Sequence, residues 1–209
     1  MICFYIDTTS NYLYTGLSRN NLLLIERKLN LAHDLSTFAL DEVRKMFLEA
    51  NIKPKDVDKI IVVNGPGSFT GIRIGVTIAK LYAYLLKKNI TTVSSLEAMN
   101  ISCEEDKLHV PIINARRGYV FGAIYDNDKV ILEEQYMTIE KLKLILMELN
   151  KDYVFISNDQ FNDLKTKEYN PNILKIINTY KDRESINPHL VNPTYLKLTE
   201  AEENKMKDN

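Results

Sequence analysis

The sequence predicts an α/β fold built from two related halves, and three observations support this prediction. Strand-like alternation of apolar and polar residues fills the first thirty positions. Buried-strand runs then alternate with helical periodicity, which indicates a parallel or mixed sheet covered by helices. Finally, the pattern of strand, polar turn and strand returns at a constant offset of 107 (114 − 7), which places Asn114 on Asp7 and Tyr119 on Tyr12.

The first half contains three predicted strands in a meander, followed by helices that alternate with strands. Leu35, Ala39 and Val43 recur at helical spacing, and Lys53-Pro54 ends that first helix. A long second helix follows a glycine-rich turn and runs through Leu86. The predicted strands of this half are residues 2–6, 12–17, 22–29, 60–63 and 91–93.

The second half begins like the first and is then abbreviated. Two such halves are what the actin/Hsp70/sugar-kinase architecture shows, here with a shortened second half, and two unrelated hairpins are the alternative interpretation. The domains are predicted as an N-terminal α/β domain at 1–104, a smaller C-terminal domain at 105–198 and a polar tail at 199–209. Within the second half we expect strands at 109–113, 119–124 and 153–157, a strand pair reaching Met137, and a helix at 139–149.

Composition excludes several classes of protein. The net charge of −1 creates no strong field toward nucleic acid, so any contact with RNA is expected from a local patch or from another subunit. The apolar stretches are shorter than the roughly 18–20 residues of a membrane helix, which predicts no membrane association and a cytoplasmic location. Cys3 and Cys103 are flanked by apolar residues and are expected to be buried thiols.

Four of the seven glycines lie within residues 65–75, at the start of the second helix. They allow a tight turn, and Ser68 or Thr70 can cap the helix that follows. A phosphate loop needs a lysine and a hydroxyl residue directly after its last glycine. Because Gly71 is followed by isoleucine and arginine, phosphate binding by this turn is the weaker interpretation.

The second helix is apolar around most of its circumference, which predicts that it is covered on two sides. A bulky stripe suits its own sheet and consists of Ile74, Ile78, Leu81 and Leu85. A neighbouring stripe of small residues allows close approach by another backbone, either the first helix or a helix of a second chain. We predict a subunit interface formed by Gly71, Gly75, Ala79, Tyr82, Ala83, Leu86, Leu35 and Ala39. A Gly75→Leu chain is then expected to fold but not to pair.

The sequence contains no visible catalytic or metal-binding constellation. His33, His109 and His189 are widely separated and are expected at the surface or at helix caps. Ser68 has no sequence-visible base and no nucleophile-elbow motif, which argues against hydrolase chemistry. We therefore predict no catalytic residue, no metal and no cofactor.

One stretch carries a specific motif, Gly-Pro-Gly-Ser-Phe-Thr-Gly-x-Arg-x-Gly, at residues 65–75. Taken with Asp7-Thr8-Thr9, Ser94-Ser95-Leu96-Glu97-Ala98 and Ala115-Arg116-Arg117-Gly118, it closely resembles the TsaB family. Pro193-Thr194-Tyr195-Leu196-Lys197 also lies where that family has similar residues. The resemblance covers nearly the whole chain and implies the actin-like duplicated fold with a shortened second half.

The resemblance also implies a role and partners. TsaB-like proteins serve in forming threonylcarbamoyladenosine beside the tRNA anticodon. They act with the paralogue TsaD, which performs the transfer, and with the small ATPase TsaE. Homodimers through the first two helices are also typical of the family. We therefore expect a non-catalytic activating subunit that meets tRNA only through the complex and that forms a homodimer in isolation.

One position departs from the family pattern. The family has aspartate before Ala-Arg-Arg-Gly, whereas this chain has Asn114, so a carboxylate that could help hold a cation is missing. A kinase-like phosphotransferase using Asp7 is therefore disfavoured. A vestigial glycoprotease-like hydrolase and a plain homodimeric structural protein are two further functions compatible with the sequence. Weak nucleotide or phosphate contact without turnover is assigned to Asp7, Thr8, Thr9 and Arg116.

Overall fold

The computed structural model describes residues 1–197, which form two five-stranded sheets with helices on their faces. The first half contributes β1 (Ile2–Asp7), β2 (Tyr12–Arg19), β3 (Leu22–Asn30), α1 (Leu35–Glu49), β4 (Lys59–Val63), α2 (Phe69–Leu86), β5 (Asn89–Val93) and α3 (Ser95–Ser102). The second half contributes β6 (Leu108–Asn114), β7 (Tyr119–Asp126), β8 (Lys129–Thr138), α4 (Ile139–Leu149), β9 (Tyr153–Ile156), β10 (Thr166–Lys167) and α5 (Ile173–Tyr180). Short 3-10 helices lie at Ala32–Asp34, Pro54–Asp56 and Pro188–Leu190.

Both sheets follow the same path, which confirms the predicted duplication. The first sheet has the order β3-β2-β1-β4-β5, an antiparallel meander continued by two parallel strands. The second has the order β10-β9-β6-β7-β8, which is the same arrangement viewed from its other edge. β1 and β6 end at Asp7 and Asn114, and β2 and β7 begin at Tyr12 and Tyr119. The fold is therefore the actin-like duplicated α/β architecture.

Apolar clusters on both sides of the sheets form the core. α1 and α2 pack on one face of the first sheet, around residues such as Phe4. α3 and α5 lie between the two sheets, where Tyr5 and Ile61 of the first sheet share a cluster with Ala123 of the second. α4 covers the other face of the second sheet and buries Leu142. The second half is shortened as predicted, since its fifth strand has 2 residues.

After β10 the chain returns to the first sheet. α5 packs against the meander of the first sheet, and residues 181–195, here called the C-terminal segment, run along β5 and α2. The ammonium group of Lys59 donates to the Arg183 carbonyl oxygen at 2.6 Å. At the far end of the segment, Thr194 N donates to the Asn64 carbonyl oxygen at 2.7 Å.

The position of the C-terminal segment affects the predicted domain division. The division into 1–104 and 105–198 stays a prediction, and the C-terminal segment that it assigns to the second half lies in space with the first. The predicted polar tail at 199–209 is outside the described residues. The last part of the chain, for which the sequence predicts no clear elements, forms α5 and the extended segment after it.

α2 corrects the expectation that every apolar stretch is too short for a membrane helix. With 18 residues, it is long and apolar enough by length and composition alone. Its buried residues, among them Ile72, Val76 and Ala79, pack against the first sheet and α1. α2 is thus built as a core helix of the first half.

Reactive side chains follow the sequence expectations with one exception. Cys3 and Cys103 are buried free thiols, as predicted. The expectation that His109 lies at the surface or at a cap is wrong, because it is buried within β6. Its ring nitrogens lie 2.7 Å from Asn100 Oδ1 and 2.9 Å from the Glu105 carbonyl oxygen. The other two histidines are exposed.

Candidate functional site

The turn after β1 is tied together by its own side chains. Asp7 Oδ1 accepts hydrogen bonds from Thr9 N at 2.8 Å and from Thr9 Oγ1 at 2.7 Å. Thr8 Oγ1 donates to the carbonyl oxygen of Gly71 at 2.7 Å. All three turn residues are buried. The turn therefore fixes the start of α2 to the end of β1, and its hydroxyl groups are used inside the chain.

Glycines at two positions of α2 make this contact close. A Cβ atom at Gly71 would overlap the carbonyl oxygen of Thr8, and a Cβ atom at Gly75 would overlap the Thr8 hydroxyl. The spacing of four residues places both glycines on the face of α2 toward the turn. Ser68 caps the helix, as the sequence predicts, because its Oγ accepts from Gly71 N at 3.2 Å.

The carboxyl group of Asp7 is poorly solvated. Burial raises its pKa to about 6, while the hydrogen bonds from Thr9 act in the opposite direction. Burial also raises the pKa of Tyr5 and of Tyr169 well above the ordinary value, and the nearby charge of Asp7 adds to the effect. Burial at the bottom of the cleft thus opposes ionisation of each of these three side chains.

The second half forms the same turn with an amide in place of the carboxylate. Asn114 Oδ1 accepts from Arg116 N at 2.8 Å, the counterpart of the bond in the first turn. Asn114 N donates to Asp159 Oδ2 at 2.7 Å. Burial raises the pKa of Asp159, and the bond from Asn114 opposes this shift. Arg116 and Arg117 follow with positive φ angles of 68° and 53°, and both side chains are exposed.

The two turns line a common cleft of about 500 Å³. Asp7 and Thr9 line it from the first half, and Asn114 and Arg116 line it from the second. The beginning of α2, including Phe69, forms part of the rim. The duplicated fold therefore brings together residues that lie more than a hundred positions apart in the sequence.

The predicted nucleotide contacts need one correction. Thr8 is fully buried, its hydroxyl donates to Gly71, and it does not belong to the residues that line the cleft. Asp7, Thr9 and Arg116 do line the cleft, although the Thr9 hydroxyl is bonded to Asp7. The sequence interpretation placed the turn side chains together, whereas successive residues leaving a strand point to opposite sides.

The prediction that a partner covers the small stripe of α2 is wrong. Six of the eight predicted interface residues are buried within the chain, namely Gly71, Gly75, Ala79, Ala83, Leu35 and Ala39. Tyr82 is half-buried and stacks on Phe47 of α1 with ring centroids 5.8 Å apart, and Leu86 is partly exposed. Small residues allow close approach by the chain's own backbone, and here Thr8 and α1 take that place.

The bulky stripe of α2 is uncovered only in part, because its member Ile78 is 7% exposed and packs in the core. Leu81 is 48% exposed and Leu85 is 64% exposed, and Ile74 is partly exposed. Leu40 of α1, which is 49% exposed, lies two helical turns before Phe47 and hence on the side of α1 that faces α2. We use the name α1–α2 face for these exposed or partly exposed apolar side chains of the two helices, Leu40, Ile74, Leu81 and Leu85. Leu81 and Leu85 also line shallow pockets together with Tyr84 and with His189 of the C-terminal segment.

Comparison with known proteins places this geometry in a family. The family model described as TsaD, tRNA N6-adenosine threonylcarbamoyltransferase, matches residues 31–169. The tRNA threonylcarbamoyladenosine biosynthesis protein TsaB of Bacillus subtilis (strain 168) is 32% identical over 222 residues, covering 97% of this chain and 96% of that protein. The chain belongs to the TsaB family. A TsaB of Buchnera aphidicola is 27% identical over 127 residues, covering 57% of this chain and 60% of its own.

Solved structures related to the TsaB family have the same fold. A Pseudomonas aeruginosa protein described as similar to peptidase YeaZ superposes with a TM-score of 0.78 at 18% identity, covering 94% of this chain and 99% of its own. YeaZ from Pseudomonas aeruginosa superposes with a TM-score of 0.73 at 17% identity, covering 93% and 99%. At these identities the likeness shows the shared fold alone.

In this TsaB-family chain the polar lining of the cleft includes Asp7, Asn114 and Asp159. Among residues 1–197, no group of three or more His, Cys, Asp or Glu side chains is arranged to hold a metal ion. Ser68 Oγ accepts a bond from a helix N–H, and no base is recorded beside it in the described structure. The absence of catalytic residues stays a prediction.

Sequence reasoning missed one cluster at the rim of the cleft. Phe69 and Tyr195 stack with ring centroids 5.4 Å apart, and Arg73 lies against both rings. Phe69 and Arg73 are four residues apart within the glycine-rich motif, a helical spacing that was available in the sequence. Their partner Tyr195 lies 122 positions beyond Arg73, and the contact is seen only in the structure, where the C-terminal segment runs along α2.

Proposed function

We propose that this chain is a non-catalytic subunit that pairs with a TsaD protein, and acts with the ATPase TsaE, in forming threonylcarbamoyladenosine in tRNA in the cytoplasm. The named relative is a tRNA threonylcarbamoyladenosine biosynthesis protein, and the matching family model is that of a threonylcarbamoyltransferase. The observation that carries the proposal is the α1–α2 face, an uncovered apolar surface on two helices that are packed against each other.

The α1–α2 face has the properties of a protein contact surface. Leu40, Leu81 and Leu85 are 49%, 48% and 64% exposed on two helices that pack against each other, and large exposed apolar side chains in a folded protein are candidates for contact with another protein. Burying one leucine side chain contributes roughly 1.5–3 kcal/mol. Asp41 and Arg44, which form an ion pair on α1, provide charged groups near its edge. In isolation, the same face is expected to pair two copies of the chain.

The cleft supports a role without catalysis. The Asp7 carboxylate accepts two bonds within its own turn. Asn114 occupies the corresponding position of the second half and supplies a neutral amide, which is a weaker ligand for Mg²⁺ than a carboxylate. A phosphotransferase of this architecture would need acidic groups from both turns around its metal. The second turn supplies no such group, and the Asp159 carboxylate that the second half contributes to the cleft accepts a bond from Asn114 N.

Charge introduced into the α1–α2 face tests the proposal. Leu81→Glu or Leu85→Glu is expected to weaken pairing with TsaD from the same organism by roughly 100-fold, because a carboxylate would be buried without a partner. The measurement is co-elution in size-exclusion chromatography followed by titration calorimetry. Leu144→Glu on α4, where the leucine is 60% exposed, is the matched control and should pair normally.

Two outcomes would contradict the proposal. One is full affinity for TsaD in the Leu81→Glu chain, which would place the contact elsewhere. The other is a failure of the wild-type chain to restore threonylcarbamoyladenosine in a strain depleted of its own TsaB, which would favour a plain homodimeric structural protein. Because both substitutions are at exposed positions, circular dichroism melts are expected to match the wild type and to exclude unfolding as the cause.

A further inference from the structure

Two clusters of aromatic and basic side chains lie near the cleft, which Phe69 lines in the first cluster and Arg116 in the second. In the first cluster, the guanidinium carbon of Arg73 lies 3.7 Å from the centroid of the Phe69 ring. Arg73 Nε donates to Tyr195 Oη at 2.9 Å. Phe69 is 56% exposed and Tyr195 is 43% exposed, so both rings present a surface to solvent.

The second cluster lies on the other half. Tyr119 and Tyr136 stack with centroids 4.7 Å apart and an interplanar angle of 11°. The ammonium group of Lys197 lies 5.5 Å from the centroid of Tyr136. Arg116 and Arg117 precede Tyr119 in the exposed turn. The second cluster thus also combines stacked rings with a cation placed against one of them.

The two clusters form one surface. Tyr195 belongs to the first and Lys197 to the second, and they are two residues apart in the chain. Phe69 and Arg116 also line the same cleft. We call the combined surface the basic–aromatic ridge; it consists of Phe69, Arg73, Arg117, Tyr119, Tyr195 and Lys197.

The ridge carries a local positive charge on a chain whose net charge is −1. Within residues 1–197, no ion pair is recorded for its three cations. The two acidic side chains in the adjoining cleft accept bonds from the protein itself, Asp7 from Thr9 and Asp159 from Asn114. The ridge itself contributes three positive charges and no acidic side chain.

We propose that the basic–aromatic ridge binds a single-stranded segment of RNA. Exposed rings offer stacking platforms for unpaired bases, and cations between them match the phosphates of the same strand. In a duplex, the bases are stacked on one another and would leave the rings unused. The inference deepens the proposed function and rests on it for the choice of RNA, and it adds a direct contact where the sequence predicts contact only through the complex.

Fluorescence anisotropy with a labelled 12-nucleotide oligoadenylate tests the ridge in the full chain and in its complex with TsaD. Tyr119→Ala and Phe69→Ala are each expected to weaken binding roughly tenfold, since each removes one stacking platform. Arg117→Gln is expected to reduce the slope of log K against log salt by about 0.7, the loss of one phosphate contact. The matched controls Tyr153→Ala and Lys151→Gln alter an exposed ring and an exposed cation outside the ridge, and should bind within twofold of the wild type.

Several results would contradict the proposal that the ridge binds single-stranded RNA. Equal affinity for a 12-base-pair RNA duplex, or unchanged binding by both aromatic variants, would reduce it to nonspecific charge. Tighter binding of oligoglutamate than of oligoadenylate would assign the surface to an acidic protein segment instead. Measuring pairing with TsaD separates the two proposals. If the chain pairs with TsaD but does not bind RNA, the ridge proposal alone is contradicted. If it binds RNA but does not pair, the proposed subunit role alone is contradicted.

Discussion

Asp7 and Asn114 occupy the same place in the two halves and make the same bond. In each case a side-chain oxygen accepts from the backbone N–H two residues further on, at 2.8 Å. A carboxylate and an amide both offer that oxygen, so the turn requires an acceptor and does not require a charge. The turn therefore does not need the negative charge of Asp7, and burying that charge lowers the free energy of unfolding.

Asp7→Asn should stabilise the protein at neutral pH. The folded-state pKa of Asp7 is about 6, raised from 3.8, so its contribution to stability is complete below pH 3.8 and is lost as the pH rises to 6. Asparagine avoids that loss, and we expect a gain of about 1–3 kcal/mol at pH 7.5 and little change at pH 3.5. Urea unfolding of both proteins at pH 7.5 and at pH 3.5 measures this difference in the free energy of unfolding. Equal pH dependence in both proteins would contradict the expectation, and Asp152→Asn, at an exposed position, is the control.

Gly71→Ala should destabilise the fold strongly. The added Cβ would overlap the backbone carbonyl of Thr8, which cannot move without displacing the turn that holds Asp7. We expect a loss of roughly 3 kcal/mol or more in the free energy of unfolding, measured by urea titration. Gly122→Ala is the control, because the nearest atoms there lie at 3.4 Å, an ordinary contact. Equal losses in both variants would show that the closeness to Thr8 is unimportant.

At the scale of whole elements, α2 shows where sequence reasoning succeeds and where it fails. Its position, its length and its Ser68 cap are predictable, because periodicity and capping are local properties. The assignment of the covered stripes is wrong in part. The small stripe meets Thr8 and α1, because the deciding contact involves a turn more than sixty residues away. In the bulky stripe Ile78 is buried, whereas Leu81 and Leu85 are exposed. For the same reason, a Gly75→Leu chain should fail to fold rather than fail only to pair.

α5 is a helix that the sequence analysis does not assign, although its apolar spacing is a local signal. Ile173, Ile176, Ile177 and Tyr180 are buried and follow helical spacing. The helix has 8 residues, too few to be stable without tertiary packing, and it follows a stretch of mixed polarity. The return of the chain to the first sheet depends on hydrogen bonds to the C-terminal segment, and such pairings have no local signature.

Lys59 anchors that segment, and its removal should loosen it. The side chain is buried, burial lowers its pKa, and its ammonium group donates to the Arg183 carbonyl and to Ser185 Oγ at 3.0 Å. Lys59→Met keeps the apolar stem and removes both bonds. Hydrogen exchange at the Ile186 amide should then accelerate by roughly 5–100-fold, equivalent to about 1–3 kcal/mol.

The control for this experiment is Lys55→Met, at an exposed position in the same part of the chain. It should leave exchange at Ile186 unchanged. An unaltered rate in Lys59→Met itself would show that the segment is held by its other contacts, such as the bond from Ile186 N to the Ile90 carbonyl oxygen at 2.8 Å.

Across the whole molecule, the two halves share a path and divide the work. The first half carries the α1–α2 face, and its glycine-rich helix start closes against the Asp7 turn. The second half supplies the Asn114 turn and part of the basic–aromatic ridge. The duplication can be predicted from the sequence, because the polar turn of each half follows its strand at the same offset. The basic–aromatic ridge cannot be predicted in this way, because its residues come from separate places in the chain.

The closing of the first sheet by the chain end also sets an order of events during synthesis. Residues that form the α1–α2 face leave the ribosome early, but Lys59, Asn64 and β5 wait for partners that are translated more than ninety residues later. A nascent chain can therefore present its partner surface while one edge of its first sheet is still bare. Completion of that edge is thus tied to synthesis of the C-terminal segment, residues 181–195.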